Sequence, residues 1–297
     1  MALRDFLLLV AVCLLWAANN IVSKLVVDDL AVPPLFYAAV RFAIVMAATV
    51  WWLRPIPRPL WRMVVVALLM GGGNFALAFI GLKTASPSMA AIVMQLGVPI
   101  TTLLSVVMLG ERIRWRRGLG IALTLIGALI VIWNPHGLAM STGLAFLFAA
   151  VAAGSLGAVM MKQMEGIAPL RFQAWVGFCS VWPLAALTAA LERDQWGHAL
   201  EVGWPFWAAV VVSALVVSVI GHTTYYLLIQ RYEANLISPL TLMTPLATIG
   251  LGIVITHDHF DLRMGIGAAL ALIGVLIVAM RPNQVWPRLM AIRNRAQ

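Results

Sequence analysis

The chain has 297 residues, of which 63% are hydrophobic and only 10% charged, and its formal net charge is +9. A soluble domain carries about 25% charged residues, so a mean hydropathy of +0.97 excludes that class and points to an integral membrane protein. The positive charge does not mark a nucleic-acid binder either, because the arginines cluster at the ends of apolar runs rather than along one face.

The apolar runs reach the roughly 20 residues that a helix needs to cross a bilayer, and the alternation of an outer-membrane barrel strand is absent. The fold class expected is therefore an all-α membrane protein with ten transmembrane helices. In chain order the spans are Phe6 to Val27, Leu35 to Leu53, Leu60 to Ile80, Pro87 to Leu109 and Gly118 to Trp133, then Thr142 to Met161, Leu170 to Leu191, Pro205 to Ile229, Leu236 to Ile255 and Leu262 to Met280. The first is too long for a signal-peptide core and lacks a small-residue cleavage site, so it is expected to stay as a span. Connections are short except Glu192 to Trp204, which is acidic and amphipathic. Cys13 and Cys179 both lie inside apolar runs, which leaves no disulfide framework and no metal-binding cysteine pair.

Lysine and arginine accumulate in cytoplasmic loops. One side of this map holds fifteen of the 20, among them Arg4, Arg54, Arg58, Arg62 and the knot Arg112, Arg114, Arg116 and Arg117. The other side holds Lys24, Lys83, Arg193 and Arg263, and Arg41 lies inside the second span. Both termini are accordingly expected in the cytoplasm.

The stretch Pro87 to Pro135 returns later in degraded form. Glu111, Gly118, Gly120, Gly127 and Pro135 recur, all 147 positions on, as Asp258, Gly265, Gly267, Gly274 and Pro282, while Pro99 recurs one residue out of step as Pro245. Five marks at one spacing indicate a tandem duplication. Five crossings separate Glu111 from Asp258, so the two copies face opposite ways. The charges agree, since the basic knot follows Glu111 whereas only Arg263 follows Asp258. The chain divides into a five-helix repeat at 1–137, an inverted five-helix repeat at 138–283 and a basic tail at 284–297. Two inverted halves are a transporter's architecture, with substrate held near the midplane between them.

The span Pro87 to Leu109 with Gly110-Glu111-Arg112, the Gly-rich span to Pro135, their echo around Pro245 and Gly274, and the opening Trp16, Asn19, Asn20 and Lys24 resemble the EamA-type carriers of the drug/metabolite transporter superfamily. Within it the chain looks most like the YddG-type exporters of aromatic and other amino acids, on Trp16 to Lys24 and Pro87 to Arg112. It departs from the pattern where His257-Asp258 replaces the Gly-Glu pair, which weakens a functional role for that acidic position. The resemblance implies ten helices, an inverted repeat, and export of small metabolites across the bacterial inner membrane without nucleotide hydrolysis or a cofactor. The absence of a GxxxxGK[ST] loop agrees.

Candidate site residues come from polar groups stranded in apolar runs. Trp16, Asn20 and Lys24 stand at i, i+4 and i+8 on one helix face, and an amide at that depth faces the bundle interior or a wet cavity. Lys24 either attracts a substrate carboxylate or snorkels to the outer surface, and Arg41 is the other possible outer-side charge. Gly71, Gly72 and Gly73 loosen the third span before Asn74 and Phe79, although small residues also serve plain helix packing. Pro99 and Pro245 break the fourth and ninth spans and free the carbonyls of Gln95 and Thr241, beside Met94 and Thr244. Interruptions at matching positions in two halves point to a binding site, and a structural kink is compatible with that. His222, Tyr225 and Tyr226 form a polar-aromatic face at i, i+3 and i+4 that suits an aromatic or cationic substrate, with a membrane-interface belt as the rival for Tyr226.

His257, Asp258, His259 and Asp261 fall in one short loop and read as solvated rather than as a metal site; no metal is expected. All eleven acidic residues fall at span ends or in loops, so the chain leans toward a facilitator, or toward coupling through His222. The expected function is a monomeric inner-membrane exporter of amino acids, chiefly aromatic and other apolar ones, whose partners are small metabolites and the lipid bilayer. Efflux of quaternary ammonium drugs is the alternative. A membrane-embedded enzyme lacks a converging nucleophile, base and orienting group.

Overall fold

A computed structural model of the chain describes residues 1–82, 93–94, 96–132, 142–164, 166–255 and 262–279. Among them every regular element is helical. The helices are α1 (Leu3–Lys24), α2 (Pro34–Thr49), α3 (Leu60–Met70), α4 (Gly72–Leu82), α5 (Gly97–Leu109), α6 (Trp115–Ile132) and α7 (Thr142–Lys162). They continue as α8 (Pro169–Leu191), α9 (Gln195–Val202), α10 (Trp204–Val212), α11 (Thr223–Arg231), α12 (Ala234–Leu240), α13 (Met243–Ile255) and α14 (Leu262–Ala279). A π-helical stretch, Ser213–His222, joins α10 to α11.

The local reasons are ordinary. Leu and Ala carry α1, and proline opens α2 and α8 at the first turn, where its missing N–H costs nothing. Gly110 ends α5 with φ of 66°, a left-handed turn that Gly adopts without a Cβ penalty.

The protein is an all-helical, multi-pass membrane protein. Seven stretches of described helix are long and apolar enough to cross a bilayer: Leu3–Val27, Pro34–Leu53, Leu60–Ala78, Gly143–Lys162, Pro169–Leu191, Trp204–Arg231 and Ala234–Gly252. Three further helices among the described residues, α5, α6 and α14, run 13, 18 and 18 residues. Large apolar side chains such as Leu103, Val107 and Val254 stand open, a face that suits lipid rather than water. Trp51, Trp61, Trp115 and Trp204 lie exposed at helix ends, as in an interfacial aromatic belt.

Small residues set the closest helix contacts, as expected where burial from water does not drive association. α6 and α14 run antiparallel. A Cβ on Gly120 would meet the Gly274 carbonyl at 3.0 Å and Val278, and one on Gly127 would strike the Gly267 carbonyl and the backbone of Ala271. Gly177 lets α8 close on Val45 and Met46 of α2. The largest buried cluster packs Leu35, Met63, Phe172, Leu184 and Tyr226 between α2, α3, α8 and α11.

Polar contacts tie the end of the bundle that carries the N-terminus. Glu111 accepts hydrogen bonds from the first two amides of α12, Ala234 (2.8 Å) and Asn235 (3.0 Å), and from Lys162 Nζ at 2.7 Å. Arg117 reaches both Glu233 and Asn235. Asp5 accepts from Tyr232 Oη at 2.7 Å and Arg231 at 3.0 Å. At the start of α2, Glu192 caps the amides of Leu35 and Phe36, each at 2.8 Å. A carboxylate at a helix N-terminus meets unpaired N–H groups and the positive end of the helix dipole.

Two outcomes follow for thermal unfolding in detergent. Gly127→Val should lower the midpoint by several degrees, because its side chain meets backbone, whereas Gly118→Ala, which would meet only Ile113 at 3.7 Å, should leave it unchanged. Burial pushes the Glu111 carboxyl up, but Lys162 and the two amides outweigh it and hold it below the ordinary carboxylate range. A depressed folded-state value contributes stability above the unfolded value and loses it as pH falls through the folded one. Glu111→Gln should therefore flatten the acid limb of the stability profile.

Candidate functional site

Four interruptions of helical geometry bring polar groups to one place. Gly71 leaves helical angles (φ −121°, ψ −118°) between α3 and α4, and the freed Gly72 N–H donates to Ser180 Oγ at 2.7 Å. Pro99 and Pro245 are each the third residue of a helix, α5 and α13, rather than mid-helix. Their missing N–H falls among the unpaired donors of a first turn, so the chain breaks before each proline and starts again. Before Pro245 the break is the turn Thr241–Leu242, where the Thr241 carbonyl accepts from the Thr244 N–H at 2.9 Å.

The fourth interruption is the π-helical stretch. Its wider turns let side chains reach carbonyls five residues back: Ser218 Oγ donates to Ser213 O at 3.1 Å, and His222 Nδ1 lies 2.9 Å from Val217 O. π-Helical turns recur at functional sites. Ser218 Oγ also accepts from Arg41 Nε at 2.8 Å, and Ser213 Oγ donates to Asn19 Oδ1 at 2.6 Å. The stretch therefore fixes polar side chains of both α1 and α2.

Between these elements lies a cavity of about 760 Å³. Of the residues expected at a site, Trp16, Asn20, Asn74 and Met94 line it, as do His222, Tyr225 and Thr244. Pro245 and Arg41 are on its wall as well. Trp16 stacks at an angle on His222 (5.2 Å between ring centres) and edge-on against Tyr225 (5.1 Å). Asn20 Nδ2 lies 3.3 Å from Thr248 Oγ1, and Asn74 Nδ2 donates to the Ala150 carbonyl at 2.6 Å. Trp16 Nε1 and Tyr37 Oη are buried without a hydrogen-bond partner.

Tyr226 is placed elsewhere. It is buried in the core edge-on to Phe172 at 4.8 Å, because α8 covers that side of α11. Pro99 does not reach the described wall, and Arg41 belongs to the cavity rather than to an outer surface. Gln95 lies outside the described residues, as do the side chains of Lys24 and Phe79 and the loop residues His257, Asp258, His259 and Asp261. Among the described residues no group of three or more His, Cys, Asp or Glu could hold a metal. The wall also contains Phe75, beside Asn74, and Thr101, beside Pro99, together with Tyr37, Ser155 and Ser238, which the sequence reading did not single out. Tyr37 was within reach of it, since it precedes Arg41 by four residues and so shares its helix face.

A model of the EamA-like transporter family matches residues 4–133 and, a second time, 140–280. A protein of Salmonella typhimurium named "Probable amino-acid metabolite efflux pump" is 25% identical over 287 residues, covering 93% of this chain and 95% of the relative. Its namesake in Escherichia coli is 23% identical over the same shares. An uncharacterized transporter of Synechocystis is 21% identical over 94% of this chain and 91% of its own. One crystal structure, 21% identical, superposes with a TM-score of 0.78 over 94% of this chain and 97% of that one, which shows a shared fold.

Water access distinguishes the two neighbouring tyrosines. In a chain freed of Cys13 and Cys179, cysteine at Tyr225 or Asn20 should react with a small water-soluble methanethiosulfonate, and cysteine at Tyr226 should not; mass spectrometry of the labelled protein reads the difference.

Proposed function

The chain belongs to the EamA-like transporter family, and from that membership we propose that it is a secondary carrier or facilitator exporting amino acids, aromatic and other apolar ones among them, by alternating access. The observation that carries this reading is the cavity, whose wall is drawn from both halves of the chain. α1, α2, α4 and α5 supply one part, and α7, the π-helical stretch, α12 and α13 supply the other. Aromatic and aliphatic surface with scattered neutral polar groups suits a zwitterion with an apolar side chain. The names of the Salmonella and Escherichia coli relatives point to amino-acid metabolites.

Several contacts support an inverted repeat of ten helices, with halves at 1–137 and 138–283 and a tail at 284–297. The family model matches twice. Gly120 meets Gly274 and Gly127 meets Gly267, so each glycine touches the repeat counterpart of the other, as a two-fold axis across an antiparallel pair requires. Pro99 and Pro245 hold the same place in their helices. The arginine distribution favours cytoplasmic termini in a bacterial inner membrane. On that orientation the Glu111, Lys162 and Arg117 contacts close the cytoplasmic end, and breaking them is the step that opens the cavity there. Export needs neither nucleotide nor cofactor, and the protein works as a monomer.

Purified protein in liposomes should move phenylalanine down its gradient. Trp16→Ala with Tyr225→Ala should cut that flux about tenfold or more, as removal of central aromatic contacts does elsewhere. Unchanged flux in the double variant contradicts the site. Flux with and without an imposed proton gradient separates a facilitator, which ignores the gradient, from coupling through His222, which His222→Gln should abolish.

A further inference from the structure

The charges of the cavity are one-sided. Arg41 is the one Lys or Arg among its described lining residues, and no Asp or Glu is among them. Arg41 is 6% exposed, and among the described residues no carboxylate lies within ion-pair distance of it. Its Nε is held by Ser218, and its guanidinium carbon lies 5.9 Å from the centre of the Phe75 ring. Of the five N–H donors of an arginine, that serine occupies one.

A buried cation without a counter-ion is costly, and in a membrane span such a residue marks a path for an ion or a substrate. One turn away on the same helix face, Tyr37 is 3% exposed and its hydroxyl has no partner. Guanidinium and phenol can both donate, and the two residues share one face of α2 and line one cavity. The group that satisfies both is a carboxylate, which accepts two parallel hydrogen bonds from a guanidinium. An ammonium group finds no carboxylate among the described lining residues. The Asn19 carbonyl oxygen, an obvious neutral acceptor, is already taken by Ser213.

We infer that Arg41 and Tyr37 form a carboxylate subsite, and that the cavity selects cargo by that group alone, so that N-acylated amino acids are carried alongside free ones. The inference rests on the amino-acid reading above and narrows it. The α-amino group contributes little, and removing its positive charge relieves the cargo's repulsion from Arg41. Cationic drugs, which bring a second positive charge and no carboxylate, are disfavoured in the same cavity.

The test compares three probes of one shape in liposomes holding the full chain: phenylalanine, N-acetylphenylalanine and phenylalaninamide. Phenylalanine and N-acetylphenylalanine should both be moved and the amide should not. Arg41→Gln should lose about tenfold or more of both fluxes, the worth of one or two charge-assisted hydrogen bonds, while Arg41→Lys keeps part of each. Tyr37→Phe retains the buried ring and should raise the half-saturating concentration of both carboxylates without lowering maximal flux. Transport of phenylalanine but not N-acetylphenylalanine, or an unchanged preference over the amide in Arg41→Gln, overturns the inference and leaves the exporter reading intact. Transport of the amide alone, or of none of the three, overturns both. Should Arg41→Gln not fold, the wild-type panel and Tyr37→Phe still decide.

Discussion

A polar side chain in the hydrocarbon core of a bilayer must find a partner inside the protein or water inside a cavity. In the described part of this chain several such groups meet that demand around one cavity. Asn74 finds a carbonyl of α7, Asn19 a hydroxyl of the π-helical stretch, and Arg41 another hydroxyl one turn along it. Of the buried polar atoms without a partner among the described residues, Trp16 Nε1 and Tyr37 Oη belong to residues of the same cavity, while others, such as Gln173 Oε1, Trp175 Nε1 and Thr223 Oγ1, lie away from it.

The same demand explains the broken helices. A continuous α-helix consumes its own N–H and C=O groups and offers a ligand nothing but side chains. Breaking the helix at Gly71, before Pro99 and before Pro245, and widening it over Ser213–His222, releases backbone groups only where protein or cavity can receive them. Outside the cavity the helices lock through glycine contacts and through carboxylates that cap helix starts across the two halves: Glu111 of the first half on α12, Glu192 of the second on α2. Such caps are electrostatic and local, so they can be exchanged without disturbing apolar packing. That separation, rigid seams of small residues and releasable polar latches, is what a rocking carrier requires.

Much of this was legible in the residues. Composition and run length declare helices in a bilayer, and Trp16 with Asn20 reached the cavity because helical periodicity alone puts them on one face. The two prolines marked breaks, although a proline inside an apolar run does not say whether the helix kinks around it or restarts just before it; the structure shows a restart. Tyr226 lies in the core rather than on the cavity wall, since i, i+3 and i+4 positions straddle a face and Phe172 of α8 decides which side is core. The π-helical stretch left no mark, since its sequence, SALVVSVIGH, reads as any apolar span. Arg41 was visible as a charge inside a span, but the partner that orients it, Ser218, lies 177 positions away. No local pattern spans that distance.

On the reading proposed above, two halves folded from one pattern sit head to tail in the membrane. Single cysteines at Ile113, between α5 and α6, and at Leu262, at the start of α14, are both exposed and report the orientation of the two repeats directly. With a membrane-impermeant thiol reagent on intact cells, the cysteine at Leu262 should react while the one at Ile113 is labelled only after the membrane is opened. Labelling of both from the same side would contradict the inverted arrangement, and with it the placement of the cargo between the halves.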